Sequence, residues 1–278
     1  MRSLSHPFSL PPVAFPVKLN IVPARTGIQW VKLGVKTFMK QPLALTGLFF
    51  MYMAVVLVIS QLPVVGVVLG AMLVPAATLG LMAATAEAAA GRFPLPTVLV
   101  SAFRAGRQRA RAMLVLGAVY TAGSLLASLL GGLLVGAPTP LPAGAEAPEL
   151  DARVLVVLLL HMPLVILFWH APALVHWHGI SPAKSLFFSG VAFLRNFGAM
   201  FMYGLTWLAV FLLVGFVVST LGMMLGGLAV ARSIMMPTVL LLVAMFSTSL
   251  YFTFRDSFRA DDAPEAAAIE PPGGENQP

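Results

Sequence analysis

Four histidines within residues 161–178 are the densest group in this chain able to bind a metal or carry a proton: His161, His170, His176 and His178. A metal site needs several of them facing one ion, each oriented by a second polar group behind it. Nine residues of helix separate His161 from His170, which puts them on opposite faces. His176 and His178 are closer, but no carboxylate or thiol lies near them in sequence. The reading is therefore no metal and no cofactor. A membrane-embedded hydrolase using His176 or His178 would need a nucleophile, and only Ser181 and Ser185 are at hand. With Trp169 and Trp177, His170, His176 and His178 read instead as an amphipathic belt at a membrane interface.

Other chemistry is sparse. The chain has no cysteine, which excludes disulfides, thiolate metal sites and cysteine nucleophiles. It has no phosphate-binding loop, dinucleotide fingerprint, serine-hydrolase elbow or zinc-protease motif. Glu87 stands just past the second apolar run, where pairing with a nearby arginine is its expected role. Ser247, Thr248, Ser249 and Tyr251 cluster in the last run and should satisfy backbone groups or neighbouring helices. Pro75, Pro163 and Pro172 interrupt apolar runs and predict bends. The pairs Gly66/Gly70 and Gly222/Gly226 have the small-xxx-small spacing of close helix contacts.

The elements that would position these residues are long and apolar. Hydrophobic residues make up 59% of the 278 positions and charged residues 10%, against roughly 25% charged in an ordinary soluble domain. Six uncharged stretches each approach the ~20 residues a bilayer core requires: 43–60, 64–84, 114–135, 154–175, 199–225 and 235–254. The fold class expected is all-α, a polytopic membrane protein of six transmembrane helices. Residues 1–25 read as a disordered extension, 26–259 as the membrane domain and 260–278 as a disordered acidic tail. No Asp, Glu, Lys or Arg falls inside the six stretches, which argues against an ion-coupled transporter.

Fifteen of the 17 lysines and arginines fall on one side of this arrangement; Arg153 and Arg232 fall on the other. The positive-inside bias places both termini in the cytoplasm of a bacterial inner membrane. Net charge is +7, and its placement points to a membrane rather than to nucleic acid. Three basic segments with helical periodicity precede the three hairpins: Thr26–Lys40, 97–111 and 181–197. Thr26 and Gln29 have capping-box spacing, and Ser181 with Pro182 marks a helix start. The chain thus reads as a threefold repeat of interfacial amphipathic helix plus hairpin. Lys32, Lys36, Arg104, Arg107, Arg111, Lys184 and Arg195 are the expected contacts to phospholipid headgroups or to a cytoplasmic partner.

Two blocks carry a resemblance: residues 18–34 (KLNIVPARTGIQWVKLG) and 168–189 (FWHAPALVHWHGISPAKSLFFS), with support from 101–111 and Arg195-Asn196-Phe197-Gly198. They resemble segments of an uncharacterised integral inner-membrane protein family of Gram-negative, mainly betaproteobacterial, genomes. More distantly, Pro172, Gly179, Ser181, Lys184-Ser185 and Arg195-Asn196 are similar to the six-helix membrane domain attached to some glycerophosphodiester phosphodiesterases. The resemblance does not extend to a phosphodiesterase domain and implies no such activity. Family members begin near Val17-Lys18-Leu19, so residues 1–16 are expected to precede the native start. A native peptide covering residues 3–15 would overturn that.

The function expected from all this is a non-enzymatic integral inner-membrane protein binding phospholipid headgroups, a cytoplasmic partner or a second copy of itself. The competing expectation is a transporter or flippase-like permease, with a cavity between the second, fourth and sixth spans shaped by Pro75 and Pro172.

Overall fold

The computed structural model describes residues 17–63, 65–136 and 152–260. In chain order these form β1 (Val17–Leu19), α1 (Thr26–Lys40), α2 (Pro42–Ser60), α3 (Val65–Ala89), a 3-10 turn (Pro96–Val100) and α4 (Ser101–Arg104). There follow α5 (Arg107–Val135), α6 (Ala152–Phe168), α7 (Ala171–His178), α8 (Pro182–Arg195), α9 (Phe197–Ser257) and β2 (Phe258–Ala260). Five segments are long and apolar enough to cross a bilayer: Pro42–Ser60, Val65–Ala89, Arg107–Val135, Val154–His178 and Phe197–Ser257. In lipid a helix is one of the few backbones whose polar groups are all satisfied internally.

The fifth segment holds the fifth and sixth expected spans. Its 61 residues would reach ~90 Å if straight, three times a bilayer core. The backbone instead leaves helical geometry at Gly226 and Gly227, where Gly227 takes φ 75°. The expected seven-residue outer turn shrinks to these two glycines. Residues 228–257 then run back against 197–225. A side chain at Gly222 would lie 2.4 Å from the Ala231 Cα, so only glycine admits this approach. At the other end of the hairpin, the Tyr203 hydroxyl and Ser249 Oγ are 2.6 Å apart, and Trp207 Nε1 donates to Ser249 Oγ at 3.1 Å.

Helix α1 matches its expected bounds but not its expected placement. Trp30 and Val31 are buried against α9, and Phe38 in a cluster drawn mainly from α2 and α3, rather than turned into lipid. Gly27 and Gly34 make this possible. A Cβ at Gly27 would meet the Ala199 carbonyl oxygen at 2.1 Å, and one at Gly34 would meet Ser249 Cβ at 2.4 Å. The capping box does not form. The helix starts instead on backbone bonds from Thr26 N to Pro23 O (2.9 Å) and Gly27 N to Ala24 O (3.1 Å).

Further expectations need correction. Residues 97–111 are not one amphipathic helix: the 3-10 turn and α4 end at Gly106, whose φ of 99° breaks helical geometry. Arg107, Arg109 and Arg111 therefore open the long helix α5. Residues 17–25 do not belong to an unstructured extension, since β1 pairs antiparallel with β2 and Asn20 and Val22 are hydrogen-bonded into the body. Ala260, placed in the tail by sequence, ends β2. The fourth span is interrupted at residues 169–170, and Pro172 opens the new helix α7. Residues 1–16 and 261–278 lie outside the described residues.

Candidate functional site

The largest polar assembly ties the two ends of the described chain together. Asn196, between α8 and α9, accepts from Val22 N at 2.9 Å through Oδ1 and donates to Asn20 O at 3.0 Å through Nδ2. The Asn20 amide side chain donates to the Asp256 carbonyl at 2.8 Å, and its backbone N–H to Ser257 O at 2.9 Å. Asp256 accepts from Trp30 Nε1 at 2.9 Å on one carboxylate oxygen and from Arg255 Nε at 2.8 Å on the other. Both asparagines and the carboxylate are thus engaged, as buried polar groups must be. The arrangement is a clamp, with no free group left to attack or bind.

A second polar centre surrounds His170, which is fully buried. Its backbone N–H donates to Ser189 Oγ at 2.9 Å, and Ser189 donates on to Ile166 O at 3.2 Å. Thr253 gives its own proton to Leu250 O (2.8 Å), so its oxygen accepts, from Trp169 Nε1 at 3.1 Å and from His170 Nε2 at 3.3 Å. This geometry suits the tautomer of His170 that carries its proton on Nε2. Its Nδ1 meets no partner among the described residues. Of the expected interfacial belt His170 is buried, while Trp169, His176, Trp177 and His178 are half-buried; Trp169 packs edge-on against Tyr203 and Phe246, and Trp177 edge-on against Tyr251 and at a tilt against Phe254.

The other histidines are dispersed. His161 is bonded through Nδ1 to the Val157 carbonyl at 2.8 Å, one turn back on α6. His176 and His178 share the end of α7 with Arg109, whose Nη2 comes within 3.9 Å of where a Gly179 side chain would start. A permanently charged guanidinium there repels a second cation. Among the described residues no three His, Cys, Asp or Glu converge on one point. Ser185 donates to Pro182 O at 2.7 Å and is buried beneath α8.

The seven cations singled out by sequence, Lys32, Lys36, Arg104, Arg107, Arg111, Lys184 and Arg195, are all exposed. The structure spreads them over α1, α4, the first turns of α5, and α8. Only two carboxylates lie among the residues whose side chains are described, and both are taken. Glu87 pairs with Arg92, which Nη2 approaches at 3.1 Å, and the bond raises the Arg92 guanidinium above its ordinary pKa. Asp256 is held by Trp30 and Arg255. The seven have no anionic partner among the described residues.

Beside them, a cavity of about 270 Å³ opens between α2, α3 and α5. Leu69, Met72 and Leu73 line it from α3, Ile59 from α2, and Phe103 and Leu114 from the basic side. Between α3, α7 and the return arm of α9, Met82, Leu174 and Phe254 are buried in one cluster.

Sequence reasoning missed Asn20, Asn196, Asp256, Ser189 and Thr253 as structural centres. Asn20 and Asn196 did stand inside the blocks that carried the resemblance, and Ser189 closes one of them. Nothing local marks Asp256 or Thr253 as centres, because the tryptophans and the histidine they meet are 83 or more residues away in sequence.

No family model matches the chain, and no solved structure matches it. It is 36% identical over 256 residues to a protein of Burkholderia thailandensis bearing the name "probable inner membrane protein", covering 87% of this chain and 94% of the relative. With five segments able to cross a bilayer and a relative matched over nearly its whole length, the chain belongs to the family of that Burkholderia protein and is an integral inner-membrane protein.

Proposed function

We propose that this protein is a non-enzymatic membrane component whose basic end binds the headgroups of anionic phospholipid. The observation that supports this best is the set of seven exposed cations that have no anionic partner among the described residues, where the two carboxylates with described side chains, Glu87 and Asp256, are both engaged. Each such cation near an anionic leaflet contributes about 1 kcal/mol of attraction. On this reading the break at Gly226 and Gly227 divides α9 into two passes, giving six, and the distribution of Lys and Arg supports an orientation with both termini in the cytoplasm.

Because the chain has no native cysteine, topology can be read from single cysteines. Arg232→Cys should react with an impermeant maleimide on intact spheroplasts, and Lys36→Cys only after permeabilisation. The reverse pattern would overturn the orientation. Headgroup binding is tested by native mass spectrometry of protein gently extracted from its own membrane. Retained phosphatidylglycerol or cardiolipin should be lost when Arg104, Arg107 and Arg111 are replaced by Gln. Unchanged retention would end the reading, and a retained non-lipid solute would favour a permease. A protein partner pulled down at the same cations would move the function to a cytoplasmic scaffold.

A further inference from the structure

We propose that the groove between α2 and α5 is a slot for one acyl chain of an anionic phospholipid whose headgroup is held by Arg107 and Arg111. This rests on the headgroup reading above and adds where the lipid lies.

The argument starts from the spacing along α5. Arg107, Arg111 and Leu114 are four and three residues apart, on one stripe of the helix. All three are exposed, and Leu114 is a wall of the groove. The backbone positions of Arg111 and Arg107 therefore stand ~5 and ~10 Å along the axis from that of Leu114, on its own face. Phe103, the neighbouring wall residue, is followed directly by Arg104. The groove has cations at one end only, and its floor of Leu69, Met72 and Leu73 leads away from them along α3.

Its chemistry selects the occupant. The lining is apolar throughout, so a polar solute would lose its hydration without recovering a hydrogen bond. The volume of about 270 Å³ falls below the ~300–1,000 Å³ of pockets that enclose small molecules. A whole phospholipid cannot fit, but part of one chain can. The groove is open along its side, with Leu69 42% and Leu114 45% exposed, so a chain can enter laterally from the bilayer. Two fixed cations above an apolar slot match a negative headgroup joined to a hydrocarbon chain, and match a zwitterionic lipid less well.

The test uses the absence of native cysteine. Full-length Leu69→Cys, labelled with bimane and reconstituted in phosphatidylcholine vesicles, reports on the end of the groove far from the arginines. Leu213→Cys, 65% exposed on the outer face of α9, reports on bulk lipid. Mid-chain-brominated phosphatidylglycerol should quench residue 69 more strongly than brominated phosphatidylcholine at equal mole fraction, and residue 213 equally. Replacing Arg107 and Arg111 with Gln should remove that excess, weakening apparent affinity about fivefold for each arginine. Leu73→Trp, which fills the floor, should also abolish the excess at residue 69 and leave residue 213 unchanged. Equal quenching of residue 69 by both lipids in the otherwise unaltered protein overturns the slot. If phosphatidylglycerol is then still retained in an arginine-dependent way in native mass spectra, the headgroup reading stands without it. If retention also ignores the arginines, both fail.

Discussion

Residues 26–40 and 97–111 carry nearly the same pattern of basic and apolar positions, yet they fold differently. The first is one uninterrupted helix pressed lengthwise onto α9. The second splits into a 3-10 turn, a single turn of helix and the start of α5. The difference lies in what each segment's glycines do. Gly27 and Gly34 sit seven residues apart on one face and admit the backbone of α9 at distances no side chain tolerates. Gly106 stands at φ 99°, ψ 159°, a conformation nearly reserved for glycine. Periodicity registered both as amphipathic helices because it reads side-chain polarity and not backbone approach. The consequence is that Lys32 and Lys36 ride on a buried strut, while Arg107 and Arg111 crown a spanning helix.

The largest test of that contrast is Gly27→Leu. The new side chain collides with the Ala199 carbonyl and the Tyr203 backbone, so α1 must lift away. Overpacking of this kind costs about 3 kcal/mol or more, and the monodisperse peak in detergent size exclusion should disappear. A preserved peak and melting temperature would mean that α1 is not docked as described. Gly106→Ala should follow, with a loss of about 1–3 kcal/mol from placing an alanine in that backbone region, read as a lower midpoint in thermal unfolding. If the midpoint rises instead, the turn is not what separates α4 from α5. Trp30→Phe removes the donor to Asp256 while keeping an aromatic ring, and should cost about 0.5–1.5 kcal/mol. Arg107→Gln with Arg111→Gln should move stability by no more than about 0.5 kcal/mol while reducing phosphatidylglycerol retention. A large stability loss there would make these arginines structural.

Much of the fold was legible because long apolar runs admit few alternatives. The bounds of α1, the hydroxyl cluster of residues 247–249 and the close contacts at Gly66 and Gly222 behave as read, while Gly226 falls at the break in α9 instead. Ser247 and Thr248 bond the Ala244 carbonyl one turn back, and Gly66 admits the Ile59 carbonyl across the first hairpin. What sequence could not supply were the long-range polar meetings. Trp30 and Asp256 are 226 positions apart, and nothing in the periodicity around either residue announces the other. His170 was hidden for a related reason. Its amphipathic character suits an interface, and only tertiary packing shows that it is buried and meets Ser189 and Thr253.

The clamp joining Asn20 and Trp30 to Asp256 also sets an order of events in biogenesis. Residues 17–30 leave the ribosome before any spanning helix exists, yet the strand, the carboxylate and the carbonyls that hold them belong to residues 256–260. The N-terminal segment must therefore wait, its indole and amide groups exposed to water, lipid or a chaperone, until the last helix has been inserted and its end has emerged. Closure of β1 on β2 can follow only once residues 258–260 have been made. A chain truncated before Asp256 would keep the packing of α1 on α9 but would leave Asn20 and Trp30 without the partners that residues 256 and 257 supply.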